Sequence, residues 1–160
     1  MRYKKIKDLV EQVIEPSVKI IKNSRKRKTM PFKEIKNILE IFFPRTKYYK
    51  TSNGFYKHVF VIHSHKRKLV LKIGRHNKDI RKDYITYCRL PESVRNRYFA
   101  KIYWRHNLFI LQKYGKKVGV PTEILKKLRM KARKYSLKDV KEANVMKFGK
   151  QFKIVDAERK

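Results

Sequence analysis

Leu137-Lys138-Asp139-Val140-Lys141-Glu142-Ala143-Asn144-Val145-Met146-Lys147-Phe148-Gly149-Lys150-Gln151-Phe152-Lys153-Ile154-Val155-Asp156 is the stretch on which the reading of this chain turns. Asn144–Phe148 and Gln151–Val155 are short segments with apolar residues at strand spacing, and Gly149-Lys150 lies between them. That pattern predicts a β-hairpin with a tight turn. Ahead of the hairpin is a polar loop in which Asp139 stands five positions before Asn144 and two before Lys141. Asp156 closes the second strand twelve positions after Asn144. The chain thus carries an acid and an amide into a hairpin and returns with a second acid.

Upstream, the texture divides in two. Ile6, Leu9, Val10, Val13 and Ile14, then Val18, Ile20 and Ile21, recur at helical spacing, with Pro16 expected to interrupt or kink that helix. A basic run, Ser24–Lys28, reads as a solvated linker or a phosphate contact. Pro31 opens a second amphipathic helix through Phe32, Ile35, Ile38, Leu39 and Phe42, ended by Pro44. From Lys47 the pattern becomes strands: Lys47–Thr51, His58–His63 and Lys68–Ile73. Asn77–Leu90 reads as a helix. Tyr98–Trp104 and Asn107–Gln112 read as a hairpin turning at Arg105-His106, and Pro121–Lys134 as a further helix.

Composition narrows the class. The 160 residues hold 45 Lys and Arg against 13 Asp and Glu, a net charge of +32 and a pI near 10.4. Such a chain repels itself, so a nucleotide or other polyanion, nucleic acid above all, is expected as partner. A heat- or salt-adapted composition would raise Glu together with Lys, and Glu is scarce here. The lone Cys88 excludes an internal disulfide and a Cys-based zinc site. No apolar run reaches membrane-spanning length and the N-terminus does not read as a signal peptide, so a cytoplasmic protein is expected.

The stretch quoted first resembles the catalytic loop, hairpin and metal-binding Asp of the protein-kinase superfamily. The resemblance covers about residues 47–158, since strand–strand–strand–helix–strand–strand–helix–loop–hairpin is also the order in that family. It implies that Asp139 accepts or orients the substrate hydroxyl proton and that Lys141 stabilises the transferring phosphoryl group. It also implies that Asn144 and Asp156 hold Mg²⁺ on the phosphates of ATP. Leu69-Val70-Leu71-Lys72-Ile73 resembles the third strand with its phosphate-binding Lys, here Lys72, for which Asp83 is the best counterpart to the family's helical Glu. Thr51–Phe60 looks like a degraded phosphate-covering loop. Gly54 alone of three glycines remains, Ser52 and Lys57 stand at the other two positions, Tyr56 is at the tip and Val59 would lie over the base. A plain hairpin turn explains the same residues. Leu108–Gly115 resembles the strand entering the hinge, which puts the backbone of Gln112–Tyr114 at the adenine edge.

Departures accompany the match. Leu137-Lys138 replaces His-Arg before Asp139, and Ala157-Glu158 replaces Phe-Gly after Asp156. Only about two dozen residues join the hinge to Asp139, and four follow Asp156. The resemblance therefore implies an α+β fold. Residues 46–160 would form a kinase-like amino-terminal lobe (antiparallel sheet plus helix) with a much reduced helical carboxy-terminal lobe. Residues 1–45 would form a helical extension, of which residues 1–43 would supply a second helical layer repacked against Pro121–Lys134. The function implied is an ATP/Mg²⁺-binding kinase-like protein, either a phosphotransferase acting on a protein or small-molecule hydroxyl or a pseudokinase. The alternative is a non-enzymatic basic nucleic-acid-binding protein. Its basic clusters would be Arg25–Lys28, Lys66–Lys68 and Lys126–Lys134, with Tyr48, Tyr49, Tyr98, Phe99, Tyr103 and Trp104 interleaved as base-stacking candidates, although their strand placement favours core packing.

Overall fold

Apolar residues at every third or fourth position build the first two helices, α1 (Tyr3–Ser24) and α2 (Phe32–Phe42). The computed structural model describes residues 3–25, 31–49, 57–64 and 67–159. In α1, Ile6, Val10, Val13, Ile14 and Ile21 form one buried stripe while Lys7, Glu11 and Glu15 face water. The helix continues past Pro16 rather than stopping there. Both Pro16 and Gln12 are exposed, so the backbone bond that proline removes lies on the solvent side, where water replaces it.

Two compact units emerge, one comprising Met1–Ile80 with Tyr103–Gln112, the other Arg81–Ile102 with Lys113–Lys160. The first is built on a sheet of β1 (Lys47–Tyr49), β2 (Lys57–Ser64), β3 (Arg67–Gly74), β4 (Ile102–His106) and β5 (Phe109–Lys113). The strand order is β1-β2-β3-β5-β4. β2 runs antiparallel to both β1 and β3, with Phe60 opposite Tyr48 and Leu71, and Val59 opposite Lys72. The amide of Gly74 donates to the carbonyl of Leu108 at 2.8 Å, so the end of β3 meets the chain entering β5. Phe60, Ile62, Leu69, Leu71 and Ile73 share one core with Ile35, Leu39 and Phe43 and with the buried stripe of α1. The faces of α1 and α2 expected to repack against Pro121–Lys134 are buried in the sheet's core instead. Burying them there removes more apolar area from water than a loose extension does.

Between β3 and β4 the chain forms α3 (Asn77–Cys88) and α4 (Glu92–Tyr98). α4 replaces the beginning of the strand expected from Tyr98, which starts at Ile102. Pro91 opens the helix, Glu92 stands in its first turn and Arg95 and Arg97 in its last, a charge order that suits the helix dipole. The β4–β5 turn falls at Asn107-Leu108, not at Arg105-His106. Asn107 takes φ 48°, a left-handed conformation that asparagine tolerates, while the Arg105 guanidinium donates to the Asn77 side chain.

His58 in β2 is 4% exposed and sits between the rings of Phe32 and Phe60, at centroid distances of 6.1 and 6.3 Å. Burial lowers its pKa from 6.5 to about 4. The unfolded chain then binds a proton below pH 6.5 that the folded chain refuses, so stability falls as pH drops from about 6.5 towards 4. The His58 share of that loss approaches about 3 kcal/mol. Urea denaturation at pH 7.5 and 4.5 should show a smaller acid loss in His58→Leu than in wild type; equal losses would contradict a buried neutral imidazole.

The second unit contains α5 (Thr122–Arg133), β6 (Leu137–Lys138), β7 (Val145–Phe148), β8 (Gln151–Ile154) and β9 (Glu158–Arg159). Its core gathers Leu90, Val94, Phe99, Leu128, Ala132, Val145 and Ile154. β7 and β8 form the expected antiparallel hairpin, and Gly149 supplies φ 61° at its turn. The sheets and helices together make an α+β fold.

Candidate functional site

The start of the loop between β6 and β7 is held by two apolar anchors, Leu137 and Val140, each buried in the second unit's core. Between them Asp139 adopts φ 65°. Few non-glycine residues take this conformation; aspartate is among the more tolerant, and such backbone recurs at working sites. The loop folds back on it. The amide of Lys141 donates to the Asp139 carbonyl at 2.9 Å, and the amide of Asn144 donates to the Lys141 carbonyl at 2.9 Å.

Side chains tighten the same turn. Asn144 Nδ2 donates to the Asp139 carbonyl at 2.9 Å and to its Oδ2 at 3.2 Å. Lys141 Nζ lies 2.5 Å from Asp139 Oδ1. Both carboxylate oxygens are therefore oriented, yet the Asp139 side chain is still 33% exposed. Reach from solvent and fixed direction coexist. Two more distant groups hold the loop: Arg129 Nε donates to the Val140 carbonyl at 2.9 Å, and Glu142 Oε1 accepts from the Val120 amide at 3.2 Å.

Asp156 reaches this loop through two backbone pairings. β6 and β9 run antiparallel with Lys138 opposite Glu158, so the segment that follows Asp156 is paired to the residue that precedes Asp139. On the other side the Val155 amide donates to the Asn144 carbonyl at 2.9 Å. Asp139, Lys141, Asn144 and Asp156 thus belong to one loop cluster of one unit. Because Asn144 Nδ2 is engaged with Asp139, its Oδ1 is the amide atom turned away from that residue. An amide oxygen and carboxylates suit magnesium, which takes one or two such ligands from protein and completes its shell with phosphates and water. Among the described residues no three His, Cys, Asp or Glu side chains gather as a metal cage.

The other residues singled out in the sequence distribute as follows. Lys72 is 5% exposed in β3, flanked by the buried Leu71 and Ile73, and Val59 opposite it is half-buried. Gln112 is buried at the end of β5. All three belong to the sheet unit, whereas Asp83 in α3 and Tyr114, both half-buried, belong to the second. Ser52 and Gly54, like Tyr56, lie outside the described residues. The segment after β5 is pinned to the hairpin: Lys116 and Lys147 exchange backbone hydrogen bonds of 2.8 and 2.9 Å. Gly115 permits this approach, since a Cβ there would lie 2.6 Å from the Phe148 ring and 2.7 Å from Met146 Cβ.

Arg129, Glu142 and the β6–β9 pairing had no recognisable signal in the sequence. Neither a known protein family nor a curated protein matches this chain in sequence.

Proposed function

We propose that this chain binds a magnesium–nucleoside triphosphate at the Asp139–Asp156 cluster and is a minimal kinase-like protein. The observation that carries this reading is the amide of Asn144 hydrogen-bonded to both the carbonyl and the carboxylate of Asp139, with the Val155 amide, next in chain to Asp156, bonded to the Asn144 carbonyl. Asn144 Oδ1 and the Asp156 carboxylate hold the metal. Magnesium, when bound, neutralises charge on the phosphate oxygens. Asp139 receives or orients the proton of an acceptor hydroxyl, and its oriented carboxylate avoids a reorganisation cost at that moment. Lys141, 70% exposed, is able to follow the moving negative charge.

Binding is the primary claim, and phosphoryl transfer follows from the presence of Asp139 and Lys141. Isothermal titration with ATP in the presence of Mg²⁺ tests it. Saturable binding that weakens at least tenfold when EDTA replaces the metal is expected. Absence of both heat and a melting shift at millimolar nucleotide would reject the reading.

A further inference from the structure

After the exposed Glu123 of its first turn, the solvent side of α5 is cationic from Lys126 onward. Lys126, Arg129 and Arg133 fall on one exposed stripe at helical spacing, with Lys127 beside them. The helix dipole accounts for basic residues in the last turn, such as Arg133, but not for Lys126 and Lys127 nearer the positive end. The opposite face, Leu128 and Ala132, is buried in the unit's core, so α5 has no apolar face to insert into a membrane. Its one large exposed apolar side chain is Met130, too little for the core of a protein–protein interface, where lysine is depleted.

The hydrogen bond from Arg129 Nε to the Val140 carbonyl lays this stripe against the loop that carries Asp139. Lys138 and Lys141, both exposed, flank Asp139 in that loop. Residues 113–160 contain sixteen Lys and Arg against five acids, and two of those five are Asp139 and Asp156. The exposed Glu123 in the first turn of α5 and Asp139 beside Lys141 offset only part of this charge. A single file of cations fits one phosphodiester strand, whose phosphates carry a regular charge and release counterions when neutralised.

We propose that the Lys126–Arg129–Arg133 stripe, continued by Lys138 and Lys141, docks the backbone of a single-stranded nucleic acid beside Asp139. Contacts of this kind read phosphate and not base, so RNA and DNA strands bind alike. The docking stands on the helix itself; only the strand's nearness to a residue that acts on hydroxyls rests on the function proposed above.

Fluorescence anisotropy with a labelled, mixed-sequence 20-nucleotide strand and the full chain tests the docking. With about four phosphates neutralised, affinity falls about fifty-fold between 50 and 200 mM salt. The double substitution Lys126→Glu/Arg133→Glu lowers affinity at least tenfold and flattens the salt dependence. Lys19→Glu/Lys22→Glu, the same change of charge on exposed positions of α1, leaves affinity within about twofold. Equal losses from the two pairs, salt-independent binding, or tighter capture by phosphatidylserine vesicles or polyglutamate would each overturn the proposal. The magnesium–ATP melting shift is read in parallel. It stays intact in Lys126→Glu/Arg133→Glu, and Asp156→Ala loses it while still binding the strand, so failure of one claim is distinguishable from failure of the other.

Discussion

Asp156→Ala is expected to abolish the stabilisation that magnesium and ATP confer. A ligand present at a hundred times its dissociation constant stabilises the folded state by about 2.7 kcal/mol. For a chain of this size that corresponds to a rise in melting temperature of roughly 5–10 °C. Asp156 is half-buried at the surface of its cluster, and the β8 and β9 pairings that position it are made by backbone groups, which alanine keeps. The shift should fall below about 1 °C in the variant. Asn144→Ala should lose the shift as well, but for a second reason: its Nδ2 bonds to Asp139 disappear, and the nucleotide-free protein weakens by about 1–3 kcal/mol. Differential scanning fluorimetry with and without nucleotide separates the two behaviours. Retention of the full shift by Asp156→Ala would remove the metal from this site.

The second large effect concerns α2. Leu39→Ala should cost about 2–5 kcal/mol, a loss comparable with Leu71→Ala in the sheet. Both side chains are fully buried in one shared core, so truncating either leaves a cavity under the same strands. Chemical denaturation of the two variants compares them directly. If Leu39→Ala cost under 1 kcal/mol while Leu71→Ala cost several, α1 and α2 would be a dispensable extension rather than the layer that covers the sheet.

Elements whose signals are local were legible in the sequence. α2 lies between Pro31 and Pro44 as its prolines dictate, α5 follows Pro121, and the β7–β8 hairpin turns at Gly149. Asp139 and Asn144 were recognisable because five residues of loop suffice to return the amide to the acid. α4 was missed because its seven residues are too few for helical periodicity, and the turn at Asn107 because the basic pair before it drew the boundary early. The register of β6 on β9 was invisible for another reason. Two-residue strands carry no alternation, and their pairing depends on how β7 and β8 return the chain. Placement of α1 and α2 on the sheet likewise arises from core filling, which no local pattern encodes.

The central claim is that Asn144 and Asp156 hold a metal which carries a nucleotide. A crystal structure with magnesium and a non-hydrolysable ATP analogue tests it most directly. A six-coordinate ion ligated by Asn144 Oδ1, the Asp156 carboxylate and phosphate oxygens is expected, with Asp139 still bonded to Asn144 Nδ2. A nucleotide bound elsewhere, with these two side chains away from any metal, would contradict it.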